Sequence, residues 1–275
     1  LEPDLLATHA GEMRERGVCT STVGIGEDYS ITQLQVLAEA GGGRMHDAQH
    51  PHEIAEVVLA ELGEVRGTVA EDVRVVLEGP DNTKVDVLES YPLSRKDSDI
   101  TAALGSMPGS AERTVVWRLR LPAGNPGDEI PIVAWCLWKP TGSNKILESE
   151  GVPVRFVLAK SAENNGQERD PEVALRVAER WHARVLRDAM TINREGHYER
   201  AEEYVSEQVR RFKRHCEGIP GTERLVDELM RTVSRVGYRM QERSRKEVQL
   251  WSSKLHRSEQ DYRVEERADY SEYLK

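Results

Sequence analysis

Three histidines and one aspartate lie close together in the sequence, at His46, Asp47, His50 and His52. Imidazole nitrogens and carboxylate oxygens are ligands that zinc prefers, but a zinc site needs several such groups that converge on one point. These four residues are spread over the end of a predicted strand, a turn and the start of a predicted helix. We therefore expect them to be capping or surface residues, and we assign no metal site to this chain.

A second group of oxygen-bearing side chains, Asp28, Ser30 and Thr32, follows an apolar segment. Hard oxygen ligands of this kind suit Mg²⁺. Ser30 also stands directly before a predicted helix, where a serine hydroxyl accepts a hydrogen bond from an N–H group of the first turn. Capping is the simpler interpretation, so we expect Ser30 to begin a helix and not to bind a cation.

Four arginines, Arg231, Arg235, Arg239 and Arg243, recur at a strict spacing of four residues. On a continuous helix this spacing places them on one side, where they would form a stripe that suits an anionic partner such as an acidic protein surface or nucleic acid. The alternative is a solvated helix flank whose like-charge repulsion is offset by nearby glutamates.

The composition limits the classes of partner and compartment. The net charge is −10, with the acidic excess in the first two thirds of the chain, which disfavours nucleic acid because phosphate contacts need a basic surface. No run approaches the ~18 consecutive apolar residues of a membrane helix. The three cysteines show no Cys-x-x-Cys spacing, which favours a reduced cytoplasmic compartment. Motifs such as Gly-x-Ser-x-Gly, His-Glu-x-x-His and the phosphate-binding loop do not occur in the sequence.

The elements that must position these residues change character along the chain. Residues 1–67 alternate between amphipathic helical runs and two predicted strands, the apolar segment 18–26 and the short segment 44–48, which predicts a parallel sheet covered by helices on both faces. Residues 68–161 carry short alternating segments bounded by turn residues, which predicts an antiparallel β-sandwich of about five to seven strands.

The last third predicts a helical hairpin followed by one long helix, together a domain of residues 170–257. The first helix begins at Asp170 with a proline at its first position and ends at Gly196. The third helix is predicted to run from Thr222 to Leu255. Residues 258–275 are polar and are expected to form a loosely held tail. The expected fold class is thus α/β, then all-β, then all-α.

The first part of the chain resembles a known family. Residues 12–29 (EMRERGVCTSTVGIGEDY), 34–37 (LQVL) and 38–43 (AEAGGG) resemble the C-terminal half of a von Willebrand factor A (VWA) domain, namely its last three helices and two strands. Residues 104–113 (LGSMPGSAER) are similar to a tract that follows this domain in bacterial proteins of the group. The resemblance implies a Rossmann-like unit followed by the β-sandwich and helical tail of such proteins.

The resemblance also implies where a cation would bind. In the family, Asp-x-Ser-x-Ser, a Thr and an Asp hold a divalent cation, and all three precede the matched segment. No cofactor is therefore expected in this chain, although Mg²⁺ is compatible with a full-length form. Since Leu1 is not an initiator methionine, we expect a fragment. We further expect the missing N-terminal part of the same domain, or another chain, to pair with an exposed edge of the sheet.

Two functional hypotheses follow. The first, implied by the resemblance, is a non-enzymatic scaffold that binds a protein partner, without membrane contact. The rim of its sheet would be formed by Glu27, Asp28, Tyr29, His46 and Asp47. The second is a hydrolase-like enzyme with a site between the β-sandwich and the helices, although no residue pair in the sequence identifies its catalytic groups.

Overall fold

The computed structural model describes residues 3–26, 29–48, 50–89, 91–109, 111–241, 244, 245 and 248. The chain divides into two compact units. The first unit contains the described residues within 1–86, 91–111 and 118–167, and the second contains those within 87–90, 112–117 and from Glu168 onward. None of the described helices is both long and apolar enough to cross a membrane.

The first unit begins with alternating helices and strands, as predicted. Helices cover both faces of a two-stranded parallel sheet: the Thr22 hydroxyl donates to the Leu34 carbonyl at 2.9 Å on one face, and the Ser21 hydroxyl donates to Glu61 at 2.6 Å on the other. The elements are α1 (Pro3–Glu15), β1 (Thr20–Ile25), α2 (Ile31–Ala40), β2 (Gly42–Ala48) and α3 (Glu53–Gly67).

Local chemistry accounts for the ends of these elements. Gly17 follows α1 with a φ of +84°, a left-handed conformation that glycine adopts without strain. The Ser30 hydroxyl accepts a hydrogen bond from the Gln33 N–H at 3.4 Å, so the predicted capping of α2 is confirmed. At Gly43 a Cβ atom would lie 2.3 Å from the Thr20 carbonyl oxygen, so only glycine permits this approach of β2 to β1.

A six-stranded antiparallel sheet follows in the same unit. The elements of this part of the chain are β3 (Thr68–Glu78), β4 (Lys84–Val87), β5 (Leu93–Lys96), β6 (Asp99–Pro108), β7 (Trp117–Arg120), β8 (Glu129–Pro140), β9 (Leu147–Glu148), β10 (Val152–Val157) and α4 (Ser161–Asn165). The order of the six-stranded sheet is β10-β8-β3-β6-β5, with β9 also paired to β8, while β4 and β7 form a separate two-stranded sheet. Ile100, Ala102 and Ile132 are among the buried residues of the six-stranded sheet.

Three of these strands, β5, β6 and β9, were not predicted from the sequence. Strand β6 nevertheless lies in the interior of the sheet between β3 and β5. Its Ile100, Ala102 and Leu104 alternate and are buried, but alanine and Gly105 weaken the strand signal because neither favours β structure. The packing of the two sheets into a sandwich stays a prediction.

The second unit contains the three helices α5 (Pro171–Arg194), α6 (Tyr198–Cys216) and α7 (Glu223–Val236). The Asp170 side chain caps α5 by accepting hydrogen bonds from the Glu172 and Val173 N–H groups at 2.9 and 3.0 Å. The apolar faces of the helices meet in one cluster, which includes Val185, Met190, Val205, Phe212, Leu225 and Leu229.

The predicted length of the third helix is wrong. Helix α7 ends at Val236, with Gly237 as its cap, and does not continue to Leu255. The buried amide of Asn193 donates to the carbonyls of Val236 and Tyr238, both at 2.7 Å, and thereby holds the chain in its turn after the helix. Glycine is also a poor helix former.

The arginine stripe must be corrected for the same reason. Arg231 and Arg235 lie on α7, but Arg239 lies beyond its end, and Arg243 is outside the described residues. The four residues therefore do not lie along one helix, and their binding to an anionic partner stays a prediction. The predicted tail, residues 258–275, also lies outside the described residues.

Candidate functional site

Tyr29 and Asp47 meet at the carboxyl ends of β1 and β2. Asp47 lies opposite Gly24 in the parallel pair, and the Tyr29 hydroxyl donates a hydrogen bond to the Asp47 carboxylate. A Cβ atom at Gly24 would lie 2.4 Å from the Tyr29 ring, so the ring rests directly on the Gly24 backbone. The absence of a side chain at Gly24 thus allows Tyr29 to cover the end of β1 and reach Asp47.

His46 lies on the other face of the same sheet. Its Nε2 atom lies 2.7 Å from Glu61 Oε1, while the Ser21 hydroxyl donates to Glu61 Oε2 at 2.6 Å. The hydrogen bond to His46 and the one from Ser21 outweigh partial burial and lower the pKa of Glu61. The Ser21 oxygen in turn accepts a hydrogen bond from the Arg44 N–H at 3.1 Å.

These three side chains have the residue types of a catalytic triad but not its connectivity. Nucleophilic catalysis requires the serine to donate to the histidine, which the carboxylate then orients. Here Glu61 stands in the middle and bonds both Ser21 and His46. The cluster therefore fastens α3 to β1 and β2, and its connectivity does not activate Ser21.

The structure brings together two residues of the predicted rim, whose role in binding a partner stays a prediction. Tyr29 and Asp47 come together, whereas His46 bonds Glu61 on the opposite face. Glu27 and Asp28 lie outside the described residues.

The rim residues are not the cation ligands that the resemblance implies, since those ligands precede the matched segment. One oxygen of the Asp47 carboxylate accepts the Tyr29 hydroxyl, and His50 and His52 stack with ring centroids 5.5 Å apart and do not converge on a point. Within the described ranges, no group of three or more His, Cys, Asp or Glu side chains is arranged to hold a metal ion. We therefore derive no chemistry through a cation in this chain.

One side of β1 faces no described strand. The Thr20 N–H donates to Gly41 at 3.1 Å and the Gly26 N–H to Ala48 at 2.9 Å, so even-numbered residues direct their backbone groups toward β2. The direction of the backbone N–H and C=O groups alternates along a strand, so the backbone groups of Val23 and Ile25 point away from β2. No described strand pairs with them there. We call this side, defined by Val23 and Ile25, the open edge of β1.

Exposed apolar side chains lie at the end of β1 and on α3. On α3, the apolar side chains of Val58, Leu59 and Leu62 remain in contact with solvent, and Ile25 at the end of β1 does so too. Their exposed fractions are 48% for Ile25, 48% for Val58, 67% for Leu59 and 52% for Leu62. The helix therefore presents apolar surface that the described residues leave uncovered.

The second unit contains a buried acidic residue that sequence analysis did not identify. The Glu89 carboxylate accepts from the Val116 N–H at 3.0 and 3.1 Å and lies 3.4 Å from Arg180 Nε. Burial raises the pKa of Glu89 to about 7, against the opposing effects of Val116 and Arg180. Its side chain has no exposed surface, so it holds the segments 87–89 and 112–117 to α5 and is closed to a substrate.

A second buried pair joins α5 to α7. His182 is fully buried, and its Nε2 lies 3.2 Å from Glu228 Oε2. Burial acts to raise the pKa of Glu228, but His182 and Arg224 outweigh it and lower that pKa. Nothing in the sequence distinguished Glu89 or Glu228 from the many other acidic residues, because their surroundings come from distant segments.

A scan of protein-family models gives no match to this sequence, and a search of curated proteins gives none either. Solved structures do match. One is von Willebrand factor type A from Catenulispora acidiphila, with 14% identity, a TM-score of 0.56, and coverage of 85% of this chain and 57% of that chain. Another is the human COPII-coat protein Sec24c, with 14% identity, a TM-score of 0.56, and coverage of 90% of this chain and 34% of that chain.

These similarities show a VWA-like fold. They extend well beyond the first 67 residues, since each covers at least 85% of this chain. The chain spans only 57% and 34% of the lengths of these two structures.

Proposed function

We propose that this chain is part of a non-enzymatic protein-interaction scaffold of the VWA type, which receives a further polypeptide segment along the open edge of β1. The observation that carries the proposal is the direction of the Val23 and Ile25 backbone groups, which point away from β2 toward a side where no described strand lies. Strands of parallel sheets are normally paired within a larger sheet covered by helices. A two-stranded parallel sheet is a weak structure on its own.

The chemistry of the surroundings defines the segment that would fit. A strand beside Val23 and Ile25 would supply the missing backbone hydrogen bonds. An apolar helix or strand face would cover Leu59 and Leu62, which are 67% and 52% exposed. The segment belongs either to the same domain of a longer polypeptide or to another chain. Burial of such side chains contributes about 25 cal/mol per Å² of apolar area.

The rim supplies polar recognition beside the open edge. Tyr29 and Asp47 together offer a phenol and a carboxylate at the carboxyl ends of the strands. A protein partner can bond to these groups without a cation in this chain. The sparse cysteines, which show no Cys-x-x-Cys spacing, favour action in the cytoplasm.

Affinity capture with the full chain tests the proposal. We expect captured protein to protect the Val23 and Ile25 amides from hydrogen exchange, and Leu59→Glu with Leu62→Glu to reduce capture at least tenfold. The matched control is Val173→Glu with Tyr238→Glu, which changes two side chains that are 59% and 75% exposed in the other unit. Equal loss of capture in both double variants, or no protection of the β1 amides, would contradict the proposal.

A further inference from the structure

Strand β10 forms the outer edge of the six-stranded sheet. We propose that this edge binds an extended peptide segment of a partner protein, which adds to the sheet as an antiparallel strand and carries an acidic residue opposite Arg155. The site is separate from the open edge of β1 and does not depend on it. It would give the scaffold a second binding surface, of the β-augmentation type.

The backbone of β10 determines which groups are available. The Leu158 N–H donates to Asp128 at 2.9 Å, so the even-numbered residues of this segment direct their backbone groups toward β8. Pro153, Arg155 and Val157 therefore point outward. Proline has no N–H to donate and is tolerated at such a position. Arg155 and Val157 each present an N–H and a carbonyl to a side where no described strand lies, and we call this side the β10 edge.

Side chains on one face of β10 extend the apolar core face of the sheet, but they remain exposed to solvent. Opposite residues of an antiparallel pair share a face, which places Val154 with Ile132 and Phe156 with Ile130. Ile132 and Ile130 are only 2% and 6% exposed, whereas Val152, Val154 and Phe156 are 62%, 43% and 36% exposed. An added strand with apolar residues on this face would extend the buried layer across β10.

A charged residue at the centre of the edge specifies the partner. The Arg155 guanidinium lies 3.3 Å from Glu129, and the two side chains are 68% and 54% exposed. Arginine has five N–H donors, so it can bond a second carboxylate beside Glu129. Opposite charges directly across two strands are favourable. The fitting segment therefore alternates apolar residues around one Asp or Glu.

A second copy of this chain suits the edge less well. Self-pairing centred on Arg155 would set two arginines opposite each other, which is unfavourable. Centring on Val154 would pair Arg155 with Pro153, which donates no hydrogen bond. If the self-pairing is centred on Phe156, Arg155 and Val157 are the only residues of β10 that can form hydrogen bonds between the two strands. A six-residue edge also buries far less than the ~1,200 Å² that a stable protein interface needs.

Synthetic peptides test the site directly. The probe is a fluorescent nonapeptide of sequence Thr-Val-Thr-Val-Asp-Val-Thr-Val-Thr, and the control peptide has Lys in place of Asp. With the full chain, we expect the Asp peptide to bind about threefold to tenfold more tightly than the Lys peptide. This is the range expected when an attractive exposed charge pair with Arg155 is replaced by a repulsive one. The Arg155→Asp variant should reverse this preference, and Arg155→Lys should keep it.

Amide exchange locates the bound peptide. The Arg155 and Val157 amides should gain protection, while the Val154 and Phe156 amides, which already bond β8, should change little. Failure of both peptides to bind at millimolar concentration, an equal affinity for both, or protection of Val23 and Ile25 alone would overturn the inference. Protection of Arg155 and Val157 that rises with protein concentration without peptide would assign the edge to a second copy. Apart from protection of Val23 and Ile25, none of these results bears on capture at the open edge of β1.

Discussion

Glu89 and Arg180 face each other inside the second unit, with 3.4 Å between carboxylate and guanidinium and with side chains only 0% and 4% exposed. Arg184, one turn further along α5, donates to the Val87 carbonyl at 3.1 Å. The Leu88 N–H donates to the Val116 carbonyl, also at 3.1 Å. A small polar network therefore holds two short segments, far apart in the sequence, to one helix. Both the free energy lost by burying Glu89 and the free energy gained by pairing it with Arg180 depend on the charge of its carboxylate.

The first prediction concerns the pH dependence of this network. The pKa of Glu89 is raised from 4.5 to about 7, so the folded chain binds this proton more tightly than the unfolded chain. The contribution to stability is therefore full below pH 4.5 and is lost as the pH rises through 7, by about 3 kcal/mol in total. Denaturant unfolding at pH 5 and pH 8 should show this loss. The Glu89→Gln variant should lack it, and an equal loss in that variant would refute the assignment.

The second prediction removes the other partner. Arg180→Met leaves the Glu89 carboxylate buried without its countercharge, which should cost about 3–5 kcal/mol of unfolding free energy at pH 8. Adding Glu89→Gln should recover part of that loss, since no charge is then stranded. Arg176→Met is the control on the same helix. Its guanidinium is 49% exposed in the pair with Glu179, so its loss should stay within about 1 kcal/mol.

The third prediction concerns the end of α7. Asn193→Ala removes the donors for the Val236 and Tyr238 carbonyls, so unfolding free energy should fall by about 2–3 kcal/mol. The Tyr238 amide should exchange faster because the turn after the helix loses its support. Ser234→Ala removes an exposed bond to the Arg231 carbonyl and serves as control. Comparable losses in both variants would mean that Asn193 does not hold the turn.

The fourth prediction tests the rim. Gly24→Ala adds a Cβ that would lie 2.4 Å from the Tyr29 ring, so the ring must move and its bond to Asp47 must break. We expect a loss of about 1–3 kcal/mol in unfolding free energy, the usual cost of overpacking. Combining Gly24→Ala with Tyr29→Ala should remove the clash and bring the double variant to the stability of Tyr29→Ala alone. An additive loss would show strain elsewhere in β1.

Local patterns predicted much of the fold. The alternation of apolar segments with amphipathic runs gave the α/β start of the first unit, and Ser30 and Asp170 were recognised as caps that the structure confirms. Strand β6 was missed because its alanines and Gly105 look like a loop. The third helix was extended too far because apolar spacing continues past Gly237, where Asn193 holds the chain in a turn.

Hydrophobic periodicity and helix-capping residues act between residues a few positions apart. The amino-acid sequence alone was therefore enough to find most helices and strands and to connect them with a VWA-like fold. Which polar groups meet was decided only by the folded chain. The Tyr29 hydroxyl bonds Asp47, His46 bonds Glu61, and Glu89 is buried against Arg180. The physical reason is that burial and pairing depend on segments that are far apart in the sequence and meet only in the folded chain. The local spacing of residues does not specify which of these segments will meet.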